Sequence, residues 1–288
     1  MITAALVKEL RETTGVGMME CKNALKETDG DLKAAGKLLR ERGQAKAVKK
    51  ADRDAKDGVI TAKIDESGKT GTLIELNCET DFVAKNENFQ AFVAEVLDTV
   101  TAAGADSPEA AASLPKDDGT LDEFIKTKVL EMGENLRLRR VTRYEVSGEG
   151  SVSSYIHMGG KIGVLIEVGA EKAESTQADG FRELVKDLAL HIAAFDPAGI
   201  AREDVPAELI EAEKDIFRKQ MEGQNKPADI IEKIIDGKIS KFYSERCLLE
   251  QGFVKDPDTT IKALLEAKSK DLGDNLTIRR LVRYALGE

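Results

Sequence analysis

The stretch that organises this chain is Gly133-Glu134-Asn135-Leu136-Arg137-Leu138-Arg139-Arg140-Val141-Thr142-Arg143-Tyr144. It returns as Gly273-Asp274-Asn275-Leu276-Thr277-Ile278-Arg279-Arg280-Leu281-Val282-Arg283-Tyr284, with seven of twelve positions identical at an offset of 140 residues. Upstream, Gly71-Thr72-Leu73-Ile74-Glu75-Leu76 returns as Gly163-Val164-Leu165-Ile166-Glu167-Val168 at an offset of 92 residues. An internal repeat indicates one structural unit present twice. The sequence therefore predicts an α+β fold with a duplicated core, each copy having strands, a helix and a closing arginine-rich strand, with helices on one face.

The second copy carries additional residues, because the two offsets differ by 140 − 92 = 48 positions. Apolar residues recur at helical spacing over 207–243. Gly223-Gln224-Asn225-Lys226-Pro227 interrupts that pattern as a helix stop and restart would. We therefore expect an inserted antiparallel coiled-coil hairpin at about 203–246. Its outer apolar face must meet the core, a second copy of the chain or a different partner, so homodimerisation through the hairpin stays open.

The amino-terminal residues form a separate unit, which we expect to be a three-helix bundle. Its helices are bounded by start and stop signals, in chain order Thr3 and Gly15, Met18 and Gly30, and Asp31 and Gly43. Met18 and Met19 are adjacent, so both cannot point inward from one helix face, and we expect one to be exposed. The expected domains are a bundle at 1–44, a polar linker at 45–57, a first core copy at 58–146 and a second at 147–288.

Composition narrows the classes of function. No apolar run is long enough to cross a bilayer, and the first residues lack the pattern of a signal peptide. The net charge is −10, with +3 in residues 1–58 and −13 in the rest, which disfavours bulk nucleic-acid binding. The three widely spaced cysteines favour free thiols in a reducing cytoplasm, without zinc-ligand spacing. Since no catalytic constellation stands out, we expect no enzymatic activity, no cofactor and no metal site.

The segment Thr80-Asp81-Phe82-Val83-Ala84-Lys85 puts a large apolar side chain between a strand pattern and a helix pattern, where a polar surface connection is usual. One interpretation is a helix start, with Thr80 or Asp81 as the cap and Phe82 folded back as a hydrophobic staple. The other is a side chain that enters a partner. The repeat aligns this segment with Lys172-Ala173-Glu174-Ser175-Thr176-Gln177, which we expect to be a solvated loop. Because that equivalent segment has no apolar residue opposite Phe82, the comparison favours a functional role.

Three motifs in order resemble the bacterial elongation factor Ts family, over essentially the whole chain. They are Ile2-Thr3-Ala4 with Thr14-Gly15-Val16-Gly17-Met18-Met19-Glu20-Cys21-Lys22, Asn77-Cys78-Glu79-Thr80-Asp81-Phe82-Val83-Ala84, and Tyr155-Ile156-His157-Met158-Gly159-Gly160-Lys161-Ile162-Gly163-Val164-Leu165. The second motif resembles the family's signature loop, and the third its second-copy hairpin. Family members often continue into a short terminal helix, whereas the printed sequence ends at Glu288.

The resemblance implies a cytoplasmic guanine-nucleotide exchange factor that binds elongation factor Tu, with a UBA-like amino-terminal bundle and no contact with membrane or nucleic acid. It implies that Thr80, Asp81, Phe82 and Val83 dislodge Mg²⁺ from the GTPase so that GDP leaves. Burial of Phe82 in an apolar pocket would contribute about 2–3 kcal/mol. Further contacts with elongation factor Tu are implied for Leu10, Gly17, Met18, Met19 and His157.

Other signals are weaker. Ser67-Gly68-Lys69-Thr70 resembles the end of a phosphate-binding loop, but the required first glycine would fall at Lys63, so we interpret it as a hairpin turn. His191 lies among apolar helix residues and is expected to be structural. The paired arginines of the closing strands are expected to be solvated. Two alternatives remain: an RNA- or ribosome-binding module that uses the basic amino-terminal arm, and an enzyme with a pocket between the two copies.

Overall fold

The computed structural model describes residues 2–221 and 227–288. It begins with three helices, α1 (Ala4–Thr14), α2 (Met18–Glu27) and α3 (Leu32–Lys50). The Thr3 hydroxyl accepts a hydrogen bond at the start of α1, and Gly15 ends that helix in the left-handed region. The Asp31 carboxylate caps α3 through the backbone N–H groups of Lys33 and Ala34. These cap signals are therefore confirmed as helix boundaries.

Helix α3 does not stop at Gly43, and this expectation is wrong. The helix runs on to Lys50, so the first part of the expected polar linker is helical. Gly43 is buried, and a Cβ placed there would lie 2.9 Å from the Thr127 Cα. The glycine is therefore explained by close approach of a second helix rather than by a helix end.

The first core copy follows. Its elements in chain order are β1 (Asp57–Ile64), β2 (Thr70–Cys78), α4 (Asp81–Ala84), α5 (Glu87–Ala103), α6 (Pro108–Ala112), β3 (Pro115–Lys116), β4 (Gly119–Thr120), α7 (Leu121–Met132) and β5 (Arg137–Glu145). The turn between β1 and β2 contains Ser67 and Gly68, and the Asp65 carboxylate accepts hydrogen bonds from Ser67 and Thr70. The hairpin interpretation of this motif is confirmed.

The second core copy repeats that order around two extra long helices. Its elements are β6 (Gly150–His157), β7 (Ile162–Gly169), α8 (Ala173–Gln177), α9 (Asp179–Phe195), α10 (Ala207–Met221), α11 (Ala228–Arg246), β8 (Gly252–Phe253), β9 (Asp256–Thr260), α12 (Ile261–Leu272) and β10 (Thr277–Ala285). Single 3₁₀ turns lie at Arg202–Asp204 and Leu248–Glu250. Among the described residues no helix is long and apolar enough to cross a membrane.

Two three-stranded antiparallel sheets result, with strand orders β1-β2-β5 and β10-β7-β6, in addition to the two-stranded sheets β3-β4 and β8-β9. One face of each sheet packs against its own helices, where Phe89 and Phe92 of the first copy and Phe181 and Leu184 of the second are buried at matching positions. The opposite faces meet each other. Their shared cluster draws one residue from each of six strands: Ile60, Leu73, Tyr144, Val152, Leu165 and Tyr284. An apolar core thus occupies the space between the copies, and this does not favour the alternative of an enzyme with a pocket there.

Backbone hydrogen bonds also join the two copies. The Ile60 N–H donates to the Gly160 carbonyl at 2.8 Å, and the Val152 N–H donates to the Gly68 carbonyl at 2.7 Å. Gly71 lies where the sheets touch, since a Cβ there would fall 2.6 Å from Val152 Cγ1. The equivalent Gly163 meets Ile60 in the same way. Glycine at both positions allows this close approach.

The expectation that the paired arginines are solvated is only partly right, because Arg279 and Arg280 are exposed but all four arginines also pair with buried carboxylates. Arg139 and Arg140 both reach the fully buried Glu75, and Arg279 and Arg280 both reach Glu167. Strand alternation would send neighbouring side chains to opposite faces. The ladder has a bulge at each arginine pair, between β2 and β5 and between β7 and β10, and this brings both arginines of a pair to one carboxylate.

Arginines paired with buried carboxylates form a network that connects the two copies. The Arg140 guanidinium lies 4.1 Å from the ring centre of Tyr284, and that of Arg280 lies 4.2 Å from the ring centre of Tyr144. Arg140 also donates to the Ala285 carbonyl at 2.6 Å, and Arg280 to the Glu145 carbonyl at 2.9 Å. Each closing strand therefore interacts with the other copy through cation–π contacts and charge-assisted hydrogen bonds.

The inserted helices α10 and α11 pack against each other. Their shared cluster includes Ile210, Ile235 and Ile239, together with Cys247 at the base. Ile216 and Ile230 remain partly exposed, at 47% and 39%. Residues Gly223 to Lys226 of the expected helix break lie outside the described residues.

Candidate partner-binding surface

Phe82 stands out on the surface of the first copy. Its side chain is 83% exposed, and no large apolar side chain elsewhere in residues 2–221 and 227–288 is more exposed. It lies in α4, whose first turn is capped by the Thr80 hydroxyl, which accepts from the Val83 N–H at 3.3 Å. The capping half of the helix-start interpretation is thus confirmed. The staple half is wrong, because Phe82 does not fold back onto the core.

The other residues of the segment 80–85, called the Phe82 loop below, have different surroundings. Val83 packs against the core cluster of the first copy, and Ala84 is buried beneath it. Asp81 is partly exposed and pairs with Lys85 at 2.7 Å. The hydrogen bond from Lys85 lowers the pKa of Asp81, so its carboxylate is ionised near neutral pH. Since both partners are largely in water, this ion pair contributes little to stability and is easily exchanged for another cation.

A residue that sequence reasoning did not select, Glu134, holds this loop. Its carboxylate accepts hydrogen bonds from the Glu79 N–H at 2.9 Å, the Thr80 N–H at 3.0 Å and the Thr80 hydroxyl at 2.6 Å. The signal for it was present, because Glu134 belongs to the repeated stretch and its equivalent, Asp274, is also acidic. The separation of 54 residues between Glu134 and Thr80 concealed the contact.

The equivalent segment of the second copy is not a loop. Residues Ala173–Gln177 form the short helix α8, in which Ser175 and Thr176 are buried, so the expectation of a solvated loop is wrong. Asp274 accepts hydrogen bonds from the Glu171 and Lys172 N–H groups, both at 3.1 Å. A hydrogen bond from Ser175 lowers the pKa of Asp274 to about 2. The two copies therefore share the helix and its acidic anchor, and differ in carrying Phe82 or Glu174 at the exposed position.

A second apolar surface lies on the amino-terminal helices. Met18 and Met19, in the first turn of α2, are 54% and 65% exposed. Both methionines are therefore exposed, rather than one. Gly17 precedes them as the helix cap and is exposed. Leu10 does not share this surface, because its side chain is only 2% exposed and packs in the core of the three helices. Leu10 thus lies beneath this surface, and its direct contact with a partner stays a prediction.

His157 ends β6 at the tip of the second-copy hairpin and is exposed. Its ring stacks on Tyr155 with centroids 5.9 Å apart, and Met158 beside it is 70% exposed. In the same hairpin, Lys161 pairs with Asp57 of β1 at 3.0 Å. The charge of Lys161 also contributes to the lowered pKa of Asp81. Because Asp57 pairs with Cys78 at the end of β2, this ion pair links the His157 hairpin to the strand that leads into the Phe82 loop.

The remaining titratable groups have structural surroundings. His191 is buried; its Nδ1 accepts from the Val254 N–H at 3.2 Å, so Nε2 carries the proton and donates to Gln251 Oε1 at 3.0 Å. This confirms the structural interpretation of His191. Burial raises the pKa of the Cys78 thiol to about 12 and that of Cys247 to about 11. Within the described part of the chain no group of three or more His, Cys, Asp or Glu residues is arranged to hold a metal ion.

Comparison with known proteins assigns the family. A model of the family described as elongation factor TS matches residues 79–288. The chain is 45% identical to elongation factor Ts of a Nitratiruptor species and 43% identical to that of Trichlorobacter lovleyi, in each case over all of this chain and 93% of the relative. It is 44% identical to elongation factor Ts of Clostridium perfringens, over all of this chain and 94% of the relative.

The family model begins at the exposed loop near residue 80, the relatives match the whole chain, and neither comparison favours the RNA- or ribosome-binding alternative. The chain therefore belongs to the elongation factor Ts family, whose role is nucleotide exchange in translation elongation.

Proposed function

We propose that the chain binds elongation factor Tu in its GDP form and accelerates GDP release by inserting the Phe82 loop near the Mg²⁺ site. The observation that carries this proposal is the exposure of Phe82, at 83%, on a short helix anchored to the core. When a partner buries a large apolar side chain that was exposed to water, the burial stabilises the complex by about 2–3 kcal/mol. That free energy is available to move the partner's groups that hold the metal.

The mechanism is thermodynamic linkage. A factor that binds the nucleotide-free GTPase more tightly than the nucleotide-bound form must weaken nucleotide binding by the same factor. GDP binding depends on Mg²⁺, which prefers a rigid set of oxygen ligands. Displacing one of these ligands therefore weakens the binding of Mg²⁺ and, with it, the binding of GDP. In this scheme Phe82 provides the apolar wedge, Asp81 brings a carboxylate to the metal, and Thr80 and Val83 fix their positions.

The other contacts proposed with elongation factor Tu give affinity. Met18 and Met19 form an adaptable apolar surface, since methionine side chains fit irregular partners, with Gly17 beside them. Leu10 supports that surface from within. His157, on the exposed hairpin tip, is proposed to contact a different domain of elongation factor Tu. The chain itself performs no bond-making chemistry and takes no cofactor in this scheme, so we propose that it is not an enzyme.

The finer architecture belongs to the same proposal. We propose a UBA-like bundle at 1–44, a linker at 45–57 whose first part continues α3, and core copies at 58–146 and 147–288, with α10 and α11 as a coiled-coil hairpin. Homodimerisation through that hairpin remains an open proposal, and no direct contact with nucleic acid is proposed. Because translation elongation takes place in the cytoplasm, we place the action of the chain there.

The test is the release of fluorescent GDP from elongation factor Tu. The wild-type chain should accelerate release, and Phe82→Ala should reduce the maximal acceleration by about 30-fold or more, the factor that corresponds to about 2 kcal/mol. Glu174→Ala changes the equivalent exposed residue of α8 and is the matched control, which should behave as the wild type. A wild-type chain that leaves release unchanged would contradict the exchange proposal. Equal rates for wild type and Phe82→Ala would contradict only the wedge.

A further inference from the structure

We propose that Glu134 is a positioning residue for exchange: its carboxylate holds the Phe82 loop in its inserting geometry before the partner arrives. The inference rests on the proposed function and assigns a role to a residue whose carboxylate is directed at the loop itself. Glu134 comes from the segment between α7 and β5, far in sequence from the loop it contacts.

Three donors converge on this one side chain. Glu134 Oε2 accepts from the N–H groups of Glu79 and Thr80, and Oε1 accepts from the Thr80 hydroxyl at 2.6 Å. The interaction is reciprocal, because Glu79 in turn accepts from the Asn135 N–H at 2.7 Å. Hydrogen bonds to an ionised carboxylate are stronger than neutral ones. Glu134 therefore fixes both the backbone at residues 79–80 and the hydroxyl that caps α4.

The backbone segment that carries Glu134 is itself held in place by hydrogen bonds. The neighbouring Asn135 side chain donates to the Arg53 carbonyl at 2.9 Å, and Lys50 donates to the Gly133 carbonyl. The segment on which Glu134 lies is thus tied to the end of α3 and the chain that follows it. A carboxylate on such a support holds the loop in one place instead of moving with it.

The second copy has an equivalent acidic anchor but no exposed apolar side chain on its loop. Asp274 accepts from the N–H groups of Glu171 and Lys172, at positions equivalent to Glu79 and Thr80. That loop presents Glu174 where the first copy presents Phe82. The fold alone therefore accounts for an acidic anchor in both copies, and the anchor gains a functional consequence only in the first copy. Asp274 is the natural control for Glu134.

Loss of the anchor should act on the insertion step. Without Glu134 the loop samples many conformations, and its ordering must then be completed during insertion, which slows release by about tenfold. The concentration of factor that gives half-maximal acceleration should change little, because the proposed docking surfaces at Met18, Met19 and His157 are untouched. A general loss of folding would instead reduce the fraction of active factor.

The experiment measures GDP release from elongation factor Tu at saturating factor for wild type, Glu134→Ala, Phe82→Ala and the double variant. We expect Glu134→Ala to lower the maximal rate about tenfold, and to add less than about twofold in the Phe82→Ala background, because a positioning residue has nothing left to position. Glu134→Gln, which keeps one acceptor oxygen, should restore part of the rate. Asp274→Ala should retain the wild-type rate.

An equal loss from Glu134→Ala in both backgrounds would overturn the proposal, since Glu134 would then act independently of Phe82. A wild-type rate for Glu134→Ala would also overturn it. The proposed function would still stand in that case, provided that Phe82→Ala is slower than the wild type. Circular dichroism and the urea midpoint of each variant give its folded fraction. Any loss of rate that disappears after correction for that fraction counts against the proposal.

Discussion

His191 makes the stability of the second copy sensitive to pH. Burial lowers its pKa from the ordinary value of 6.5, and its neutral tautomer is fixed by the Val254 N–H and Gln251. Because the folded pKa is below the unfolded one, the unfolded chain binds the proton first as the pH falls. The stabilising effect is therefore complete above about pH 6.5 and is lost progressively below it, with a slope of at most about 1.4 kcal/mol per pH unit.

The expected result is a fall in the urea midpoint from about pH 7 to about pH 5 that is steeper in the wild type than in His191→Gln. The chain has only two histidines, so His157→Gln is a direct control. That variant removes an exposed imidazole and should retain the wild-type slope. Parallel pH profiles for the wild type and His191→Gln would show that the buried imidazole does not carry the effect.

Single residues also mark what the sequence predicts and what it does not. The exposure of Phe82 was inferred from the contrast with its equivalent, Glu174, because an internal repeat provides its own comparison. Glu134 was missed since its partner, Thr80, is far along the chain, and hydrogen bonds between distant loops leave no periodic pattern. The convergence of Arg139 and Arg140 was missed because a β-bulge cannot be read from alternation, which assumes a regular ladder.

Helix α3 depends on Gly43 for its packing. A Cβ at this position would lie 2.9 Å from the Thr127 Cα and 3.1 Å from the Thr127 carbonyl oxygen of α7, which are backbone atoms that cannot turn aside. Gly43→Ala should therefore lower the free energy of unfolding by about 1–3 kcal/mol through overpacking, despite the better helix propensity of alanine.

Gly36, about two turns earlier in the same helix, supplies the matched control. No atom lies within 4 Å of a Cβ placed there. Gly36→Ala should raise the free energy of unfolding by about 0.5–1 kcal/mol, because only helix propensity and unfolded-state entropy change. Urea unfolding of both variants measures this opposite pair of shifts. Stabilisation by both substitutions would contradict the close packing of α3 on α7.

The boundaries of helices were predictable where a capping side chain or a left-handed glycine sets them, as Thr3 and Gly15 do for α1. Gly43 looked the same in sequence and had a different cause, since a glycine in a helix serves equally as a stop or as a contact point. Only the position of α7, fixed by the whole fold, distinguishes the two. The α8 helix was missed for a similar reason, because its buried Ser175 and Thr176 resemble loop residues in sequence.

The network of arginines paired with buried carboxylates connects the two core copies. Arg140→Met keeps most of the side chain over Tyr284 but removes the charge that pairs with the buried Glu75. We expect a loss of about 2–3 kcal/mol in the free energy of unfolding, less than for a fully buried pair because Arg139 remains 3.8 Å from the carboxylate. Arg280→Met should cause a similar loss, since Glu167 occupies the equivalent place.

Arg137→Met is the control in the same strand, because Arg137 is exposed. It should shift the free energy of unfolding by no more than about 0.5 kcal/mol. Urea unfolding of the three variants measures the effect. A loss from Arg140→Met no larger than that from Arg137→Met would mean that the contact between the copies depends on its apolar residues alone.

The joined copies have a mechanical consequence for the wedge. A side chain that pushes a partner's groups aside receives an equal force in return, and a compliant mounting would absorb that force by recoil. In the proposed mechanism the force on Phe82 would pass through Thr80 and Glu134 into the first sheet, and from there through the Ile60–Gly160 hydrogen bond and the shared core into the second. The second copy, which presents Glu174 at the equivalent position, would then stiffen the support of the proposed wedge.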